Sequence, residues 1–304
     1  MNHMALSLRD LQYLVAVAES SHFGRAALAC NVSQPALSTQ IKKVEDVLGV
    51  QVFERSNRRV QTTEAGLLVV QAARQVLEAA EHLGQVAHVK HKLLSSPFKI
   101  GAIASLGPYF WPHFLAPLKT KFPELELILR EGLTENLIQQ LRTGILDAVL
   151  ASPTFDTTGL LERPLFFEPF FLAASTDHPL AKQKLIETKD LNANEMVLLE
   201  EGHCLKDQTV DLCPVNRRGH IREAHATSLE TLRQLVATGA GYTLMPALSV
   251  EGDQSLGGLL KYRPFRSDRA GRQIALYLRP STPKLPDAQA LTDFIKKHLP
   301  KSVY

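Results

Sequence analysis

The chain has 304 residues, 45% of them hydrophobic and 21% charged, with a formal net charge of +3 and three cysteines. No apolar run approaches the ~18–20 residues that span a bilayer, and three cysteines are too few, and odd in number, for a disulfide scaffold. The start, "MNHMALSLRDLQYLV", lacks the order of a secretory signal, so the expectation is a reducing cytoplasm without membrane contact. A charge of +3 favours no partner by itself, and any nucleic-acid binding must come from a local patch.

Leu8, Leu11, Leu14, Val15 and Ala18 share one face at helical spacing. "FGRAALAC" reads as a short helix, with Cys30 as a small buried apolar side chain on it. Asn31 tolerates a left-handed turn, and Ser33 is a good N-cap for a helix with Pro35 in its first turn. In that helix Leu37, Ile41, Val44 and Leu48 form the buried stripe, leaving Gln34, Ser38, Thr39, Lys42 and Lys43 toward solvent. This is the layout of a helix-turn-helix, whose second helix reads base edges in the major groove. "VQVFERSNRRVQTTEAG" predicts a small hairpin carrying Arg55, Arg58 and Arg59 toward phosphates. On these residues alone a plain helical bundle with a solvated basic turn stays open.

From Thr63 to about Leu94 the sequence has no proline. Val69, Ala73, Val76, Ala80, Leu83 and Ala87 follow the a/d spacing of a seam against a second, identical helix, or of a helix packed on its own domain. A linker is expected near residues 88–97.

From Phe98 onward, strands alternate with helices: "FKIGAIA", a helix over 108–122, "ELELILRE", a helix from Thr134, and "DAVLAS". A second unit holds "PFFLAAS", "NEMVLLEEG" and the helix "TSLETLRQLVATG", with Thr227 and Glu230 as a capping box. "RQIALYLRP" and a last helix near 286–298 return to the first unit. The pattern predicts two α/β lobes on a mostly parallel sheet, with a cleft suited to a small molecule.

Two of the three cysteines lie in "EGHCLKDQTVDLCP". The segment after Gly202 is compatible with helix until Pro214. If residues 204–213 are helical, nine steps of roughly 100° carry Cys213 to the opposite face, roughly 13.5 Å along the axis. A disulfide needs Cα atoms within about 7 Å, so a bond requires unwinding, which would make the segment bistable. Cys204 at a helix start, beside His203 and near Lys206, is placed to favour a thiolate, while Glu200 and Glu201 oppose it. Cys213, near Val210 and Leu212, fits a resolving thiol. Two alternatives remain open: a pair of inert buried cysteines, and a metal site from Cys204, Cys213, His203 and His220, whose spacing is not a standard zinc pattern.

"HFGRAALACNVSQPALSTQIKKVEDVLGVQVFERSNRRVQTTEAG" resembles the winged helix-turn-helix of LysR-type transcriptional regulators, and "LVATGAGYTLMPALSV" resembles their effector domain. "LLEEGHCLKDQTVDLC", "GAIASLGPY" and "FPELELILREGLT" are similar to the peroxide-sensing members, so the likeness spans essentially the whole chain. The resemblance implies a winged helix-turn-helix domain over 1–62 and a dimerisation helix over 63–94. A two-lobed α/β, periplasmic-binding-protein-like domain over 95–304 would follow. It further implies Gln34, Pro35, Ser38 and Thr39 at the groove and Arg55 on phosphate. Cys204 would be the peroxidatic thiol and Cys213 its resolving partner. His203, Lys206 and Asp207 would be polar supports, with Ser105 and Thr134 as hydroxyls for hydrogen peroxide. Partners would be promoter DNA, RNA polymerase and further copies of the chain, as dimer and tetramer, with no cofactor, no metal and no enzymatic turnover. Ser105 stands for a usual threonine, Lys206 for an arginine, and Glu223 holds the place of a histidine. The rival readings are a regulator sensing a small organic effector in the cleft, and a dithiol peroxidase, which would have no need of the helix-turn-helix.

Overall fold

The computed structural model describes residues 6–55, 60–87, 92–214, 225–252 and 255–304, in two compact units, Met1–His91 and Lys92–Tyr304. In the first, α1 (Leu8–Ser20) starts at a Ser7/Asp10 capping box. Asp10 also accepts a 2.8 Å hydrogen bond from Gln40 Nε2, tying α1 to α3. α2 (Phe23–Ala29) is capped by His22, whose Nδ1 accepts from the Gly24 N–H at 3.0 Å. Asn31 takes the left-handed turn at φ 54°, and Ser33 caps α3 (Gln34–Leu48) as its sequence predicts. Leu14, Val17, Ala26, Leu37 and Ile41 form the core beneath. β1 (Phe53–Arg55) pairs antiparallel with β2 (Val60–Thr62). Glu45 fastens this hairpin to α3, its Oε1 accepting from the Val52 and Phe53 N–H groups at 2.8 and 3.0 Å.

α4 (Glu64–Ala87) begins where Thr63 Oγ1 accepts from the Gly66 N–H at 2.8 Å and donates to Gln51 O at 2.7 Å. The expected seam divides. Ala73 is buried and Val69 packed in the home core, and the neighbouring Arg74 pairs with Glu19 of α1 at 2.7 Å. The early seam positions are thus used within the unit. Val76 and Leu83 are exposed, Leu83 by 73%, and with Leu68, Ala72 and Ala79 they leave an apolar line facing solvent. The side chain of Ala87 lies outside the described residues.

The second unit holds β3 (Phe98–Ile103), α5 (Gly107–Lys121), β4 (Leu127–Gly132), α6 (Thr134–Arg142), β5 (Ala148–Ala151) and β6 (Leu161–Ser175). There follow β7 (Leu198–Leu199), α7 (Cys204–Asp211), β8 (His225–Ala226), α8 (Leu229–Ala237), β9 (Tyr242–Pro246), β10 (Leu260–Pro264), β11 (Gly271–Leu278) and α9 (Leu285–Lys297). Only part of the sheet is parallel. β3 runs parallel to β4 and β5, but β11 is antiparallel to β5 and β6, and β6 is antiparallel to β9 and β10. The reason is β6, fifteen residues long, which serves both lobes. Its first part pairs with β11 and its last part with β9 and β10. Each lobe has its own core: one around Ile100, Phe110, Phe114 and Leu276, the other around Phe170, Leu172, Tyr242 and Leu244. Tyr109 packs against both.

Ser228, not Thr227, caps α8, accepting from the Thr231 N–H at 3.2 Å. Glu230 is drawn instead to Arg233 at 2.6 Å and to the Tyr109 hydroxyl at 2.9 Å. Among the described residues no helix is long and apolar enough to cross a membrane.

Glu168 of β6 and Arg272 of β11 form a fully buried pair at 2.8 Å. Arg272 Nη1 donates to Ser105 Oγ at 2.7 Å, and Glu168 Oε1 accepts from the Leu248 N–H at 3.1 Å. Arg272→Met would leave a buried carboxylate unpaired. We expect a loss of about 3–5 kcal/mol in urea unfolding; a loss below about 1 kcal/mol would show that water reaches Glu168.

Candidate functional site: an exposed helix face and a divided thiol pair

Gln34, Pro35 and Thr39 stand exposed on α3 together with Lys42 and Lys43, while Ser38 is half-buried. A polar face at the start of the second helix of a helix-turn-helix can reach base edges and phosphates. Arg55 is the last residue of β1. Its side chain, and all of Arg58 and Arg59, lie outside the described residues.

The cysteine segment turns at Gly202, with φ 88°, where an added Cβ would meet Leu133 Cδ1 at 3.0 Å. His203 is the N-cap of α7 and makes no side-chain cap bond. Cys204 is therefore the first helical residue, beside amide groups whose dipoles favour an anion. The helix ends at Asp211, two residues earlier than expected, and the Cys213 N–H closes the turn on Val210 O at 3.0 Å. Eight helical residues still hold the ends about 12 Å apart along the axis. Neither cysteine is in a disulfide. Cys204, 7% exposed, belongs to the core of the first lobe, and Cys213, 2% exposed, to the core of the second.

A cavity of about 410 Å³ opens onto Cys204, lined also by Asp207, Thr134, Glu135, Arg142 and Phe155. The Thr134 hydroxyl is buried with no hydrogen-bond partner among the described atoms, an unusual state for a buried polar group and one that a small polar guest would satisfy. Ser105 does not line this cavity, and its hydroxyl accepts from Arg272. Lys206 pairs with Glu201 at 3.0 Å. Burial pushes the His203 imidazole below its ordinary value, against a smaller opposing pull from Glu200. That direction disfavours the charged imidazole beside Cys204. Glu223 and His220 lie outside the described residues, and among the described residues no group of three or more His, Cys, Asp or Glu could hold a metal ion. Arg142, Glu135 and Phe155 carry no signal in the sequence that would mark them as lining.

The profile of the LysR substrate binding domain matches residues 91–300, and that of the bacterial regulatory helix-turn-helix protein, lysR family, matches residues 8–67. The chain belongs to the LysR family. It is 43% identical over 296 residues, 97% of each chain, to the hydrogen peroxide-inducible genes activator of Pectobacterium carotovorum subsp. carotovorum. It is 41% identical to the DNA-binding transcriptional dual regulator OxyR of Escherichia coli K12, over 97% of this chain and 96% of the other. Full-length OxyR from Pseudomonas aeruginosa, with a cysteine replaced by aspartate, superposes with a TM-score of 0.88 at 37% identity, covering 98% of this chain and 97% of that one.

In this LysR-family chain α7 is also tied across the lobes. Gln208 Nε2 donates to Ser152 Oγ, just beyond β5, at 2.7 Å. Helix α7 thus carries Cys204 into one core, Cys213 beside the other, and a polar strap between.

His178 shares the state of His203: burial lowers it, and Glu195 opposes. Both folded values lie below the ordinary 6.5, so the unfolded chain binds protons first as pH falls. Their stabilising contribution is full above about pH 6.5 and is lost as pH drops through the lowered folded values. His203→Gln should flatten part of this acid limb in urea unfolding between about pH 7 and pH 5, and an unchanged limb would assign it to other groups.

Proposed function

We propose that this LysR-family chain is a DNA-binding transcriptional regulator that senses hydrogen peroxide through Cys204. The observation that carries the reading is one cavity shared by Cys204, at the start of α7, and the unpartnered Thr134 hydroxyl. The names of its relatives point to the same stimulus. In this reading the Cys204 thiolate attacks one peroxide oxygen, the O–O bond breaks, and the other oxygen leaves as hydroxide, taking a proton to become water. The Cys213 sulfur then displaces the hydroxyl of the sulfenic acid, a second water leaves, and a disulfide forms that cellular thiols reduce. Thr134 orients the peroxide, Asp207 and His203 are polar supports of the segment, and Lys206 is held by Glu201. Ser105, expected as a second peroxide hydroxyl, is held by Arg272 and does not line the cavity. Two core-seated thiols, one at the start of α7 and the other two residues past its end, cannot meet unless α7 unwinds.

Residues 1–62 are assigned to DNA, 63–94 to dimerisation through the exposed line of α4, and 95–304 to sensing. Gln34, Pro35, Ser38 and Thr39 face the groove, and Arg55 a phosphate. Unwinding of α7 repacks effector domains of neighbouring subunits in a tetramer, changing half-site spacing and the contact offered to RNA polymerase.

One equivalent of peroxide should link Cys204 to Cys213 and leave Cys30 reduced in a peptide map. Cys213→Ser should stop at a sulfenic acid that dimedone traps. A map with Cys30 in the disulfide, or with none, would sink the proposal.

On DNA, Arg55→Glu should weaken binding to every sequence and reduce its salt slope by about one. Gln34→Ala should instead change sequence preference, costing ~1–3 kcal/mol at one base pair. Reversed outcomes in a binding titration across salt concentrations would overturn the contact assignment.

A further inference from the structure

Cys213 Sγ lies 3.6 Å from Met196 Sδ, both in the second lobe's core. The thiol also faces Thr209 O at 4.0 Å. Met196 is fully buried, and its seat is independent of α7. Its N–H bonds Ala193 O at 3.2 Å, and its backbone bridges Tyr242 of β9. A thioether sulfur offers lone pairs and no proton, so in this contact Cys213 is the donor. Accepting from the S–H favours the protonated form, whereas the nucleophile in disulfide formation is the thiolate.

We infer that Met196 is a positioning residue for the resolving thiol: it holds Cys213 in the core as a protonated donor and thereby sets the rate of disulfide closure. The inference rests on the peroxide-sensing reading above. Closure converts Cys204–SOH and Cys213–SH into the disulfide and one water, the Cys213 proton leaving with the hydroxyl. Before that, Cys213 Sγ must part from Met196 Sδ. Peroxide meets Cys204 in the other lobe's core, so Met196 acts on the second step and not on the first.

Rapid quenching with a thiol-alkylating reagent, followed by mass spectrometry, resolves the two steps in the full chain. Met196→Leu conserves volume and removes the acceptor. The peroxide-dependent formation of the Cys204 sulfenic acid should keep its rate. The peroxide-independent closure should accelerate roughly two- to ten-fold, the worth of one neutral hydrogen bond. Replacing the methionines by norleucine, which keeps the shape of the side chain without sulfur, should accelerate closure likewise. Selenomethionine, which retains an acceptor, should leave it slow. Closure at an unchanged or lower rate in both the leucine and the norleucine proteins would overturn the role of Met196. Loss of the first, peroxide-dependent phase in the unaltered protein would instead overturn the peroxide reading.

Discussion

Helical hydrogen bonding from Cys204 to Asp211 is the constraint on which the sensing unit depends. It fixes the distance between two thiols by the rise of the backbone. The side chains at either end then have separate neighbourhoods, one reached from a polar cavity and the other sealed beside a methionine. The helix is short, begins with a histidine that gives no cap bond, and ends in a tighter turn. Eight residues with these ends have little stability of their own. Its tertiary contacts hold it, and they come from both lobes.

On α7 itself, Gln208 makes one hydrogen bond to Ser152 across the lobes, and away from α7 the Tyr109 hydroxyl of α5 donates to Glu230 of α8. Behind them the Glu168–Arg272 pair is fully buried and also engages Ser105 and Leu248. An ion pair this deep resists disruption because freeing either partner strands a charge. The frame around α7 is therefore far harder to break than the straps on α7 itself. Refolding of the segment can proceed while β6 and β11 keep their pairing.

The helix-turn-helix was legible because its signals are local: Ser33 as cap, Asn31 at the turn, and a buried stripe from Leu37 to Val44. The first half of β6 was not, because Pro164 and Pro169 interrupt "LERPLFFEP" and the strand passes from one lobe's core to the other's. β10, short and charged, gave no apolar alternation. The seam of α4 was read correctly as apolar but not apportioned, since periodicity does not say which neighbour covers a face. At α8 the expected cap Thr227 gives way to Ser228, whose hydroxyl accepts from the Thr231 N–H, while Glu230 bonds Arg233 and Tyr109. The protonation of His203 depends on burial, which a residue's neighbours in sequence do not report. Thr134 and Cys204, seventy positions apart, could be brought together from sequence only through family resemblance.

Housing the two thiols in separate cores makes the set point of the proposed switch a distributed property. Whatever stabilises the reduced packing around Cys204 or Cys213 without an equal gain in the oxidised form lowers the tendency to form the bond. For a two-electron couple, about 1.4 kcal/mol of such bias corresponds to about 30 mV. A methylene added or removed at Leu248 or Leu229, which share those cores, is of comparable size. Lineages could thus retune the oxidant level that trips such a regulator by ordinary drift in its hydrophobic interior, with every sulfur and every polar group of the site left as it is.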